Sequence, residues 1–201
     1  MSNSRFQAPT RRGFVAGAAS LLAVPAYAQR TVNEQNTLRA PDEVTPAVRR
    51  NVAGFKTRHW QPHFSSLRNG AVLVDISSRA LHYWGPDGET YRLYPCSIPV
   101  SEDLTRRGRT SVVQKVVGPD WSPTPNMLKR NPEWPRYIPP GPDNPLGTHA
   151  LYLGWKYYRI HGTHDDRKIG RMSSNGCIGL YNPHIADLFA ITKVGTQVLV
   201  I

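Results

Sequence analysis

Three short strand-like runs at residues 71–76, 80–84 and 89–94, the last two joined by a Gly85-Pro-Asp-Gly88 turn, constrain this chain more than any other feature. Each is too short for a self-supporting helix. Each is also rich in the aliphatic and aromatic residues that suit a pleated, half-buried surface. With a tight polar turn between two of them, they predict a β-meander. Further strand candidates lie at 110–117, 149–153, 157–161 and 197–201. One helix is predicted over 183–191, with Asn182 as its cap and Ile185, Leu188 and Phe189 on its apolar side. Together these about 130 residues predict a mainly β domain with one core and few short helices.

Between Gly118 and Gly147 the pattern gives way to a proline-rich stretch that includes Trp121-Ser-Pro-Thr-Pro125 and Tyr137-Ile-Pro-Pro-Gly-Pro142. A loop of that length inside a small domain is usually functional or disordered. Proline fixes φ and so reduces the entropy lost on ordering, and Trp121, Trp134 and Tyr137 offer apolar faces. The stretch therefore reads as an ordered lid or wall over a cleft. Residues 29–66 read as an N-terminal extension, with a brief helix near 45–55 started by Thr45-Pro46. Phe55, Trp60 and Phe64 are available to pack that extension onto the domain.

Residues 1–28 read as a targeting segment. Thr10-Arg11-Arg12-Gly13-Phe14-Val15 has the form of a twin-arginine export motif, a small and mildly apolar run follows, and Ala26-Tyr27-Ala28 suits signal peptidase. The run is shorter than the roughly 20 apolar residues of a spanning helix. Cleavage after Ala28 and a soluble periplasmic chain are expected, without stable membrane insertion. The full chain carries a net charge of +11; the cleaved one keeps 22 basic against 14 acidic residues, or +8. Such an excess favours an anionic partner, and in the periplasm that means cell-wall peptides or lipid head groups rather than nucleic acid. The resulting boundaries are a 1–28 leader, a 29–66 extension and a 67–201 domain.

Chemistry enters with Arg159-Ile-His161-Gly162-Thr163 and with Ser174-Asn175-Gly176-Cys177-Ile178-Gly179-Leu180. A cysteine with a pKa near 8.5 is only a few per cent thiolate at neutral pH. A neighbouring imidazole changes that by taking the proton or by forming a thiolate–imidazolium pair. That is the chemistry of acyl transfer through a thioester. The other cysteine, Cys96, lies in an extended run and reads as a small buried hydrophobe, so both thiols are expected to be free. His161, His164, Asp165, Asp166 and Cys177 include zinc-ligand types. The middle three read as a solvated loop, however, and no metal is expected.

The two motifs resemble the signature of the L,D-transpeptidase (YkuD-type) catalytic domain: His-Gly-Thr/Ser, a gap, then Ser/Thr-His-Gly-Cys-Ile/Val-Arg-Leu/Met. The likeness extends to Asn144-Pro-Leu-Gly-Thr-His-Ala-Leu-Tyr-Leu-Gly154 before the histidine and to Val194-Gly-Thr-Gln-Val-Leu-Val-Ile201 at the end, covering about residues 70–201. The resemblance implies a β-sandwich or barrel catalytic domain that acts on peptidoglycan stem peptides, both as donor and as acceptor. It implies Cys177 as nucleophile, His161 as general base and acid, the Gly162 carbonyl orienting the imidazole, and an oxyanion hole near Gly176. It also implies no cofactor and inhibition by β-lactams of the carbapenem type. Ser174, Asn175, Tyr158, Arg159, Arg171 and Trp121 are the expected substrate contacts, and His149 is a candidate second imidazole.

Two positions depart from the signature. Asn175 stands where histidine is usual, and Gly179 where arginine is usual. An amide keeps a donor and an acceptor, but glycine cannot replace a guanidinium. Either Arg159, Arg167 or Arg171 supplies that charge, or the enzyme accepts the shorter L-Ala–D-Glu donor and makes 1,3-type links instead of 3,3 links between diaminopimelates. A hydrolase of the same scaffold and a non-catalytic wall-binding module are the rival classes.

Overall fold

Residues 71–95 form the β-meander that the sequence suggests, because the strand patterns and the Gly85–Gly88 turn agree. In the computed structural model, which describes residues 56–201, β1 (Ala71–Asp75) pairs antiparallel with β2 (Ala80–Trp84). β2 then pairs antiparallel with β3 (Tyr91–Pro95). All five residues of β1 are buried, which explains why it reads as a continuous apolar run. Val72 and Val74 enter the main core; Ala71 and Leu73 enter a second cluster with Phe64, Leu67 and Trp84. The Phe64 ring meets that of Trp84 edge-on at 6.2 Å, so Phe64 and its neighbour Trp60 cover the outer face of the meander as expected. The predicted helix at 45–55 and the leader lie outside the described residues.

The chain continues through β4 (Ile98–Pro99), a 3-10 turn (Glu102–Leu104), the long β5 (Gly108–Val117) and a short helix α1 (Pro125–Arg130). β6 (His149–Leu153), β7 (Arg159–His161), a second 3-10 turn (Asp166–Lys168), β8 (Met172–Ser174) and β9 (Ile178–Gly179) follow. Helix α2 (Asn182–Ile191) and β10 (Gln197–Val200) close the domain. The main sheet has the order β3-β2-β1-β10-β5-β6-β7-β9, and β4 pairs with β8. Ser97 bridges to Gly179, with N–H to carbonyl distances of 2.8 and 3.3 Å. The residues that leave edge strand β3 thus reach edge strand β9, and the sheet curls towards closure.

Several expected elements shift. Strand β7 begins at Arg159, because Tyr157 adopts φ +70° and cannot continue a strand. Strands β4, β8 and β9, of two or three residues each, carry too little pattern to be read beforehand. The helix begins at Asn182 itself, with Tyr181 as cap residue and no side-chain cap bond. Asn182 is therefore not the cap: its amide turns instead to Thr148 and Thr163. The proline-rich stretch is ordered by α1, whose Thr124 caps the Met127 N–H, by the Trp121–Ile138 bridge and by buried Asn144. The Asn144 amide donates to the carbonyls of Pro119, Ile138 and Pro139 at 3.0, 3.1 and 3.0 Å.

Candidate active site

Strand register decides which side chains can meet. In the parallel β7–β9 pair, Ile160 opposes Ile178 and His161 opposes Gly179. Both isoleucines lie in the core, so alternation sends Arg159 and His161 to the other face. Cys177, one residue before Ile178, opens on that face too. His161 and Cys177 border one cavity of about 470 Å3, floored by β7 and the cysteine turn and walled by the proline-rich stretch. This volume suits a peptide-sized ligand.

The turn that presents the cysteine is held by its own backbone. Gly176 has φ +128°, a conformation that other residues reach only with strain, and the Tyr158 ring stands 3.7 Å from where a Cβ would be. Ser174 Oγ donates to the Cys177 carbonyl at 2.5 Å. Ser174 therefore shapes the turn. The Cys177 thiol points at the Tyr157 carbonyl, 3.4 Å away, a group delivered by the positive φ of Tyr157. Sequence reasoning missed Tyr157 because a tyrosine between Lys156 and Tyr158 carries no signal of left-handed backbone.

His161 Nδ1 lies 2.6 Å from the Gly162 carbonyl. A carbonyl only accepts, so the imidazole carries its proton on Nδ1 and leaves Nε2 as a base. Burial lowers His161 to about 4; the Gly162 bond works against this, while the Arg159, Lys168 and His164 charges add to it. Burial also raises the Cys177 thiol above its ordinary range, opposed by the Arg159 charge and hydrogen bonds. Both groups are thus neutral at neutral pH. They share the cavity as neutral groups, the thiol turned to the Tyr157 carbonyl, rather than as a standing thiolate–imidazolium pair.

Among the expected contacts, Trp121, Tyr158, Arg159, Ser174 and Asn175 line the cavity; His149 and Arg171 do not. His149 shares the parity of Leu151, which opposes Ile160 in the core, and its ring packs on Phe189 of α2 at 4.8 Å. It is not a second imidazole of this site. Arg167 pairs with Asp165 on the surface, so of the three candidate replacements for a guanidinium at 179 only Arg159 reaches the cavity. Its guanidinium lies 4.7 Å over the Tyr152 ring, and its Nε is buried with no hydrogen-bond partner. A Cβ at Gly179 would fall 2.4 Å from Ser97 Oγ, so a side chain there needs that hydroxyl to move. Asn175 accepts a hydrogen bond from Arg130 of α1 at 2.9 Å, a contact across 45 residues that no local pattern announces. Cys96 and Cys177 are both free thiols, as expected, with Cys96 fully buried.

Comparison with known proteins points the same way. The family model for the L,D-transpeptidase catalytic domain, YkuD, matches residues 69–200. A Fuscovulum blasticum protein from the ATP synthase subunits region, ORF 5, is 51% identical over 189 residues, covering 94% of this chain and 93% of its own length. Escherichia coli (strain K12) ErfK/SrfK is 38% identical over 141 residues, 68% of this chain but only 45% of its own length. Both bear the name L,D-transpeptidase provisionally. The solved L,D-transpeptidase from Mycobacterium smegmatis superposes with a TM-score of 0.52 at 20% identity, over 66% of this chain and 58% of that one, a likeness of fold.

Proposed function

The chain belongs to the L,D-transpeptidase catalytic-domain family of YkuD type, and we propose that it is a cysteine acyltransferase. It would open an L,D peptide bond in a peptidoglycan stem and pass the acyl group to an amine. The observation that carries this reading is the shared cavity of Cys177 and His161, with imidazole Nδ1 committed to Gly162 so that Nε2 is left for the thiol.

Cys177 gives its proton to His161 Nε2 as its sulfur bonds to the carbonyl carbon on the L side. The carbon–nitrogen bond then breaks, and the departing amine takes that proton from His161. An acceptor amine attacks the thioester, forming a new carbon–nitrogen bond as the carbon–sulfur bond breaks; the proton it sheds returns through His161 to sulfur. The Cys177 N–H beside Gly176 serves the oxyanion, a kind of donor worth about 3 kcal/mol. Trp121 and Tyr158 wall the substrate, and Asn175 and Arg159 offer it polar contacts. No metal or cofactor enters these steps.

Donor choice turns on residue 179. With no guanidinium there, the shorter L-Ala–D-Glu donor is one reading. Arg159 in the cavity favours the ordinary donor, cut between diaminopimelate and D-alanine, because it offers a cation to a stem carboxylate. Residues 1–28, which the structure does not describe, are proposed as a twin-arginine leader to the periplasm. A carbapenem is proposed to acylate the same sulfur.

The test is to incubate residues 29–201, and a Cys177→Ala control, with disaccharide-tetrapeptide and sacculi, and to fragment the products by mass spectrometry. Dimers joined through diaminopimelate support the ordinary donor, and dimers joined through L-alanine the shorter one. Cleaved monomers alone would place the protein among hydrolases. Equal products from the control would refute the reading.

A further inference from the structure

The cavity holds one carboxylate among the described residues that line it, Asp143, and Lys168 is one of the cations that line it too. Neither forms an ion pair among the described residues. Both are close enough to the exposed His164 to influence its imidazole, in opposite senses. Each stands on a rigid support. Asp143 precedes Asn144, whose buried amide ties three carbonyls of the proline-rich stretch. Lys168 ends the turn that Asp165 caps through the Arg167 N–H at 3.1 Å, and the Thr163 hydroxyl donates to the Asp165 carbonyl at 3.1 Å. An acid and a base left unneutralised, fixed on separate loops of one cavity and facing solvent, match a ligand that carries both charges.

We propose that Asp143 and Lys168 form the acceptor subsite of the cavity, taking an α-amino acid terminus with its ammonium on Asp143 and its carboxylate on Lys168. The inference rests on the transpeptidase reading and deepens it. It places the acceptor on the His161–His164 side of the cavity and the donor on the Arg159–Tyr158 side. The bound ammonium loses one proton to solvent. The amine then attacks the Cys177 thioester; a carbon–nitrogen bond forms, the carbon–sulfur bond breaks, and the second proton passes through His161 to sulfur. A carboxylate beside the ammonium explains why acceptor discrimination would lie in these two charges rather than in the aromatic wall.

The experiment begins with acyl-enzyme prepared from a stem tetrapeptide and followed by intact-protein mass. It is divided among free diaminopimelic acid, its dimethyl ester and a disaccharide-tripeptide, and the ratio of amide product to hydrolysis is read for each. Unmodified protein should favour the free zwitterion over the ester by about tenfold or more. Lys168→Met should erase that preference, and Asp143→Asn should lower the ratio for both amines about tenfold, with Asp143→Glu restoring part of it. Transfer to the tripeptide but to neither the free acid nor the ester would overturn the proposal, since the charged terminus alone would then not be what is recognised. Equal transfer to acid and ester by the unmodified protein, or unchanged ratios in both variants, would overturn the proposal. If no acyl-enzyme forms at the first step, the transpeptidase reading itself fails, at a stage separate from the acceptor ratios.

Discussion

Asn182 Oδ1 accepts the Thr163 N–H at 3.1 Å while its Nδ2 donates to the Thr163 carbonyl at 2.8 Å, so one side chain fixes both polar groups of the residue after Gly162. The same oxygen accepts the Thr148 N–H at 3.2 Å. The first turn of α2 is thereby joined to the segment whose Gly162 carbonyl orients His161.

Asn182→Ala should strand the buried Thr163 groups and cost about 2–3 kcal/mol, read as a lower urea midpoint at unchanged slope. Asn182→Asp keeps the acceptor but loses the donor, and should cost less. In both variants acylation of Cys177 should slow by about tenfold or more as the Gly162 carbonyl drifts from Nδ1. Full stability in Asn182→Ala would show that the three contacts contribute nothing.

The thiol and imidazole shifts predict a pH profile. Burial raises Cys177 and lowers His161 to about 4, so neutral forms dominate at neutral pH. Because the thiol pKa is raised, thiolate accumulates only on the alkaline side. Iodoacetamide inactivation should climb by about tenfold per pH unit through neutrality. Arg159→Met removes a charge that holds the thiol down, so its curve should move to higher pH. A plateau near pH 6–7, the mark of a standing ion pair, would refute the assignment.

Acid should destabilise the fold through buried histidines. His82 is 1% exposed; its Nδ1 meets the Tyr91 hydroxyl at 2.8 Å, and its Nε2 has no partner. Burial and the Arg58 charge lower it to about 4, with Asp75 acting the other way. A histidine whose folded pKa is depressed leaves stability intact above the unfolded value near 6.5. Below it the unfolded chain binds the proton first, and stability is lost as pH falls towards 4. The loss should be roughly 2 kcal/mol for this site. Thermal melts between pH 7.5 and 4.5 should show a shallower decline in His82→Phe; an identical slope would remove His82 as the cause.

Residues 71–94 were legible because pattern and turn chemistry agree locally, and the cysteine and histidine because their spacing is itself the signature. Less could be read where contacts are long-range. Parity against Ile160 moves His149 out of the site, and that register becomes known only when β6, β7 and β9 pair. Asn182 looks like a cap in sequence, yet its amide finds better partners across the fold in Thr148 and Thr163. Arg159 was one of three candidate cations, and only the pairing of its strand with the cysteine segment sets it apart.

Gly179 makes the departure from the family signature testable as a packing problem. Its N–H donates to Ser97 Oγ at 3.1 Å, and a Cβ at 179 would stand 2.4 Å from that oxygen. Both residues are buried, at the bridge where the two ends of the curled sheet meet. Gly179→Ala should therefore cost about 1–3 kcal/mol through overpacking. In a Ser97→Gly background the offending oxygen is gone, and the same substitution should cost much less, giving a coupling of about 1 kcal/mol or more in a double-mutant cycle. Gly179→Arg alone should behave like Gly179→Ala or worse, so restoring the signature arginine requires a change at 97 as well. Additive costs in the cycle would mean that the glycine is needed for backbone reasons and that Ser97 is not what keeps a side chain from this position.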